Sequence, residues 1–453
     1  MSDKNDTMKK TVLLLLFICI RPLSAQVCFN PNSPHFGIGH LYCICSADFN
    51  KDGKLDLAAG EAGGDNVEIS LATGPGSFGA PTLFTAGSMP ISITTADFNG
   101  DANIDIATAN FNSSDVSILL GDGTGSFSSP INFGVDVYPT CIISADFNND
   151  GNVDLAVTTE ASNDVSVFLG TGTGSFGIKT NFPAGTPALP LTFADFNEDG
   201  NIDIAAANSN NVSVLLGTGT GSFSTALNYT TTCAQTIETA DFNTDGHADL
   251  VTTCDLTLGG YVSILLGNGT GGFGSETNFN VDHPSEVTCA DFNGDGYIDL
   301  ATNNSNNYIS VLNGTGTGSF TLVLTLLIPY LSTTDIINGD FNGDSKIDLV
   351  IACENSNAIS ILLNCITVLG IENLSEKQQT SIFPNPTSDE FIIEANTTEQ
   401  LTIDLYDLNG RHVFTKSVSD KSSISVTDLK EGIYTLTVKT VDRVINKKLA
   451  IIH

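Results

Sequence analysis

The chain has 453 residues, no Trp, and 51 Asp plus Glu against 17 Lys plus Arg, a formal net charge of −34. An acidic balance of that size excludes a nucleic-acid binder, which needs a basic footprint on at least one face. Past the N-terminal stretch no run reaches the roughly 18 uninterrupted apolar residues of a membrane-spanning helix, so the mature chain is expected to lack one.

At the N-terminus, Lys9 and Lys10 precede the apolar run Val12 to Ile20, and Ala25 closes a short polar stretch. These are the charged, apolar and cleavage regions of a secretory signal, assigned to residues 1–25. The chain is therefore expected to be secreted or displayed at the outer-membrane surface after cleavage.

Residues 26–365 carry a nine-residue pattern, Asp-Phe-Asn-x-Asp-Gly-x-x-Asp, seven times, with starts 49, 49, 49, 46, 50 and 49 residues apart. That period matches one four-stranded sheet with its turns. Position one is Asp48, Asp97, Asp146, Asp195, Asp241, Asp291 and Asp340; position three is Asn50, Asn99, Asn148, Asn197, Asn243, Asn293 and Asn342. Position five is Asp52, Asp101, Asp150, Asp199, Asp245, Asp295 and Asp344; position nine is Asp56, Asp105, Asp154, Asp203, Asp249, Asp299 and Asp348.

Oxygen-bearing side chains on alternate residues of a tight loop suit a hard cation that takes six to eight oxygens, with Gly at six for the sharp turn and a backbone carbonyl at seven. Position seven is Lys54, Asn103, Asn152, Asn201, His247, Tyr297 and Lys346, which share no side-chain chemistry, as expected if only the carbonyl binds. Up to seven structural Ca2+ ions are thus expected. Ala102 and Ser345 replace Gly at position six, so loops two and seven are expected to bind most weakly. Positions eight and ten are apolar throughout, which launches a strand from the loop instead of the second helix of an EF-hand.

Each period divides into four strand-like pieces. In the second these are Ile91 to Ala96, Ile104 to Ala109, Val116 to Leu120 and Phe127 to Phe133, with a glycine-rich turn from Gly121 to Gly125. Seven such sheets are expected to close into an all-β, seven-bladed ring. The turn signature GTGTGSF and its variants appear six times, and Ile359 to Asn364 ends the seventh period without one. Residues 28–37, where Ser-Pro-His-Phe-Gly resembles Ser129-Pro-Ile-Asn-Phe-Gly, are expected to supply the missing outer strand. The apolar run Leu322 to Ile328 reads as one buried strand. Cys28 and Cys365 would then meet as a clasp, and Cys233 and Cys254, on adjacent strands around the fifth loop, form a second candidate pair.

With seven registered loops, strands such as VSVLLG and the GTGTGSF turns, residues 28–365 resemble the FG-GAP or VCBS-type repeats of integrin α-chain propellers and bacterial surface proteins. The resemblance implies a seven-bladed β-propeller with calcium in its hairpin loops, and adhesion or ligand binding more often than catalysis.

Residues 366–380 read as a linker, and the repeat is absent from 381–453. There, Pro384-Asn385-Pro386, Leu405-Tyr406-Asp407, Gly410-Arg411, Gly432-Ile433-Tyr434 and Lys447-Lys448 resemble the C-terminal sorting domain of type IX secretion in Bacteroidetes, with Asp389 where that family often has Gly. Alternation alone gives six or seven strands, a small β-sandwich. The resemblance implies the type IX export machinery as a partner.

Evidence for catalysis is thin. The six histidines fall in no pattern with Ser, Cys or carboxylates that suggests a triad, and most acids are spoken for as metal ligands. The favoured reading is a monomeric, calcium-binding adhesion or binding module with a protein or glycan ligand. The alternative is a calcium-dependent polysaccharide lyase or glycoside hydrolase on the same scaffold.

Overall fold

In the computed structural model the described residues are 27–31, 35–37, 39–160, 162–185, 190–256, 259–330, 332–365, 381–383, 387–394, 401–406, 411–419, 421–439 and 444–451. The signal at 1–25, the linker at 366–380 and the Pro384–Pro386 turn lie outside them. The chain divides into two compact units, Met1–Val368 and Leu369–His453.

Among the described residues, seven antiparallel sheets of four or five strands form the blades of the first unit, and Ala72–Gly74 pairs with Ser77–Phe78 in a small ribbon. In the second blade the strands are Pro90–Ala96, Asp105–Asn110, Asp115–Leu119 and Ile131–Gly134, paired in chain order. The first six residues of each blade's second strand are buried, as in Asp105–Asn110 and Asp203–Asn208, which is why it is built from small and β-branched residues such as Ala107 and Ala205. The fourth strand is shorter than its sequence suggests. Phe127 makes only an isolated bridge to Gly121, because Ser128, Ser129 and Pro130 interrupt the ladder before Ile131.

First strands line the axis and touch their neighbours: Thr94 bonds Ser144 at 2.9 Å, and the Asn338 amide donates to Thr288. The ring closes on itself, since the Ile44 N–H donates to Asp335 at 2.8 Å and the Thr334 hydroxyl to the Leu41 carbonyl at 3.1 Å. Each interface between consecutive blades holds its own apolar core. Leu41, Ile44 and Leu57 of the first blade pack with Val350, Ile359 and Ile361 of the last, as Phe98 and Ile118 pack with Ile142 and Leu155 further on.

The last blade takes its outer strand from the N-terminus. Phe29–Pro31 pairs with Leu362 to Asn364, and His35–Phe36 pairs with Ala358 and Ile359. Cys28 and Cys365 are disulfide-bonded across a sequence separation of 337 residues. Cys233 and Cys254 are also bonded, but Cys233 sits in the connection ahead of its blade's first strand, Ile237–Ala240, and not on a strand. Among the described residues five cysteines are free, at 43, 45, 141, 289 and 353.

One expectation fails. The run Leu322 to Ile328 is not a buried strand: it belongs to Phe320–Leu327, the outermost strand of the sixth blade, with Leu322, Val323 and Leu327 exposed by 45, 38 and 56%. Hydrophobicity alone cannot tell a central strand from an edge.

The second unit has a three-stranded and a four-stranded antiparallel sheet. Phe391 and Ile393 of the first sheet and Leu401, Ile403, Leu405 and Leu436 of the second form one core. The four-stranded sheet joins Leu401–Tyr406, His412–Val418, Gly432–Lys439 and Val444–Ile451.

Candidate metal loops and the opposite face

The seven loops share one hydrogen-bond scheme. In the first, the Asp52 N–H donates both to Asp48 Oδ1 at 3.0 Å and to Asn50 Oδ1 at 2.9 Å, so these two oxygens converge on one point. The Gly53 N–H donates to Asp48 Oδ2 at 2.8 Å and the Lys54 N–H to Asp52 Oδ1 at 3.0 Å. The fourth loop repeats this with Asp195, Asn197 and Asp199. Positions one, three and five are therefore gathered at the loop tip by its own backbone.

Position six has positive φ, as the spacing requires, from Gly53 at 82° to Gly246 at 89°, and Ala102 and Ser345 are each held at 65°. Position four is left-handed too, at Lys51, Asn149, Glu198 and Thr244. The amino-acid pattern carries only a weak signal for this second bend, since several residue types fill it.

Position nine has a different place. Asp56, Asp105, Asp154, Asp203, Asp249, Asp299 and Asp348 are fully buried. One oxygen of each accepts from the N–H of the loop's Phe and the other from the N–H ending the third strand, as Asp203 does from Phe196 at 2.9 Å and Gly217 at 2.6 Å. Burial pushes Asp105, Asp154, Asp203, Asp249 and Asp348 up to about 6 and Asp299 to about 7, with the carboxylates of positions one and five adding to the rise. Position five goes the other way: the Asn103 N–H holds Asp101 below its usual range, and the Lys54 ammonium does the same for Asp52.

Among the described residues no three His, Cys, Asp or Glu side chains converge into a metal cluster, consistent with the inward turn of position nine. What meets at each tip is an all-oxygen set of carboxylate, amide and carboxylate, with the inner carboxylate beneath it. That donor chemistry fits calcium. Position seven is less neutral than its variety suggests: Lys54 pairs with Asp52 at 2.8 Å and Lys346 with Asp344 at 3.4 Å, placing an ammonium beside a candidate ligand in loops one and seven. The Asn152 and Asn201 amides donate to Asp150 and Asp199, and His247 pairs with Glu198 of the preceding loop.

The glycine-rich turns latch the loops together. Gly125 N–H donates to the Phe49 carbonyl of the preceding blade, and Gly174, Gly221, Gly271 and Gly318 repeat the contact around the ring, with Gly76 donating to Phe341. The seventh blade has no such turn. Its Asn364 amide takes over, donating to the Phe292 carbonyl at 2.8 Å, and a cavity of about 350 Å³ remains beside it, lined by Asp291, Asn293, Ser345 and Lys346 among others.

At the other end of the ring, the residue eight before the loop carries the entry turn in the second, third, sixth and seventh blades. Met89, Tyr138, His283 and Ser332 have φ of 62, 62, 52 and 62°, and their carbonyls accept from the neighbouring hairpins, Phe111 to Met89 and Glu160 to Tyr138 among them. Tyr138 is 44% exposed and stacks on Phe111 with centroids 4.8 Å apart. His283 Nδ1 lies 2.6 Å from Asp255, and the Ser305 hydroxyl donates to the same carboxylate at 2.7 Å.

Three further acids, missed by sequence because they sit outside the motif, lie on first strands along the axis. Burial raises Glu238 to about 7, Asp335 to about 6 and Glu286 well above the carboxylate range; the Asp335 charge adds to the rise at both glutamates, and Glu238 adds to that at Glu286.

The FG-GAP-like repeat family matches residues 48–108, 97–157, 146–206, 195–252, 241–302 and 291–351. The family described as secretion system C-terminal sorting domain matches residues 381–452. No curated protein matches the chain. Among solved structures, the chain is similar to the crystal structure of BBS1N in complex with ARL6DN, soaked with mercury: TM-score 0.55, 15% identity, covering 75% of this chain and 98% of that one. The same complex soaked with lead gives a TM-score of 0.49 at 14% identity, covering 76% and 98%. At 15% identity the likeness to the first is one of fold alone, a β-propeller.

Proposed function

Because the chain belongs to the FG-GAP-like repeat family, we propose that it works outside the cell as a calcium-stabilised ring that binds a ligand with the face opposite its metal loops. The sorting domain marks the chain for type IX secretion to the cell surface or the extracellular space, with the export machinery as a partner. When bound, calcium would supply positive charge at each tip, held by the oxygens of positions one, three and five. Those residues orient the loop through their backbone bonds whether or not the ion is present. Structural loops of this kind leave recognition to the other end.

The observation that carries the reading is the contrast between repeated and varied residues. Metal-loop positions recur almost unchanged, whereas the residue eight before each loop runs through His40, Met89, Tyr138, Pro187, Cys233, His283 and Ser332. Bulky residues held at positive φ are a cost that persists where a side chain must be presented in one direction. The test is a glycan and protein array probed with the exported chain and with Tyr138→Ala. A hit that Tyr138→Ala weakens supports the reading; equal signals from both would count against this face.

For the lyase or hydrolase alternative this face offers His283 with Asp255. Ser305 donates to the carboxylate and not to the ring, so no hydroxyl is activated by the imidazole. Unsaturated ends released from acidic polysaccharides would revive it.

A further inference from the structure

We infer that the outermost strand of the sixth blade, Phe320–Leu327, is a self-pairing edge through which two copies of this chain associate across a two-fold axis. The blade departs from the repeat in this strand. In blades two to five the third strand's Ser hydroxyl donates to an outer-strand Asn, namely Asn132, Asn181, Asn228 and Asn278. Thr325 stands at that place in blade six, paired with Ser310, and Leu326 replaces the aromatic residue that follows the Asn elsewhere. The outer strands of blades one to five span four or five residues, after Gly, Ser, Pro or charged residues that break the ladder. Thr321, Leu322 and Val323 occupy the break in blade six, and the strand runs for eight residues.

The result is an apolar sheet edge with no sheet partner on its outer side among the described residues, and Leu322, Val323 and Leu327 stand exposed along it. Such an edge is a template for another strand. The charge pattern selects a copy of the same chain as the occupant. Two copies of a chain this acidic repel wherever their charged surfaces meet, and residues on the two-fold axis face their own copies, so a self-pairing edge has to be free of charge. Leu300 to Thr334 contains no Asp, Glu, Lys, Arg or His, in a chain whose formal charge is −34. The other long uncharged stretch, Ile204 to Ile237, has an outer strand of only four residues carrying Asn228 and Tyr229. A partner recruited by the rest of this acidic surface would instead be basic and would have no use for an uncharged edge.

The test is sedimentation of the exported chain across a concentration series from the micromolar range upward, beside Leu322→Lys, Leu327→Lys and Ile178→Lys. Ile178, 96% exposed on the third blade, serves as the control. The expected result is a dimer for the wild type and the control, with association weakened about thirtyfold or more in each of the other two variants and melting unchanged. A wild type that stays monomeric throughout, or a dimer that survives both edge substitutions, would overturn the inference.

Discussion

The two ends of the ring are made from the same seven blades and have opposite logic. At the loop end, backbone N–H groups hold the same side chains in the same places seven times, and turns from one blade latch onto the next. At the other end a backbone scheme also repeats, the entry-turn carbonyls of His40, Met89, Tyr138, His283 and Ser332 each accepting from a neighbouring hairpin, but the side chains differ from blade to blade. Repetition of chemistry marks the part that builds the ring, and in the function proposed above repetition of backbone alone leaves the other end free to recognise a ligand.

The largest effect is expected from the two disulfides, one at each end. Cys28–Cys365 ties chain segments 337 residues apart at the loop end, and Cys28→Ser should cost about 5 kcal/mol if chain entropy governs. Cys254→Ser, opening a separation of 21 at the other end, should cost about 3 kcal/mol. Denaturant unfolding of the two variants checks the order; equal losses would mean the clasp adds nothing to ring closure.

Next comes the buried carboxylate. Asp203→Ala strips the partner from two backbone donors, Phe196 and Gly217, and should lose about 2 to 4 kcal/mol. Tyr138→Ala at the opposite end should stay within about 0.5 kcal/mol of wild type. If the two variants unfold at the same denaturant concentration, the division of labour between the ends is wrong.

Strain sharpens the contrast. Ala102→Gly and Ser345→Gly relieve a left-handed backbone and should each stabilise by about 1 kcal/mol. Tyr138→Gly should gain a similar amount while removing a candidate ligand contact, so its melting point should rise as binding falls.

A pH-dependent effect concerns the axis, which belongs to neither end. Burial raises Glu238 to about 7 from an ordinary 4.5. The folded chain therefore keeps this proton after the unfolded chain has lost it, and stability falls as pH rises from about 4.5 to 7. Glu238→Gln should match wild type below that window and exceed it above. Melting both proteins across the same pH series makes the loop acids cancel; parallel curves would contradict the shift.

Blade boundaries and ring closure were legible because period, turn signature and the orphan strand at residues 28–37 all pointed the same way. The tips were legible too, since alternation places Asp48, Asn50 and Asp52 on one side of a tight loop. The structural role of Asp56 and its counterparts was not, because the spacing offers a carboxylate at position nine as a ligand and gives no sign that backbone N–H groups of the loop and of the third strand's end also bond to it. Nor was the exposure of Leu322 to Leu327, where hydrophobicity suggests burial and only topology reveals an edge. The axial acids Glu238, Glu286 and Asp335 come together only when blades five, six and seven stand side by side.

The most direct measurement is the melting midpoint of the exported chain at increasing free calcium, with magnesium as the comparison and chelator as the zero. At calcium about a hundredfold above its dissociation constant, each bound ion contributes about 2.7 kcal/mol, so the midpoint should climb steadily through the millimolar range and magnesium should do much less. A midpoint that chelator leaves unmoved would show that the seven acidic loops hold their shape by backbone bonds alone.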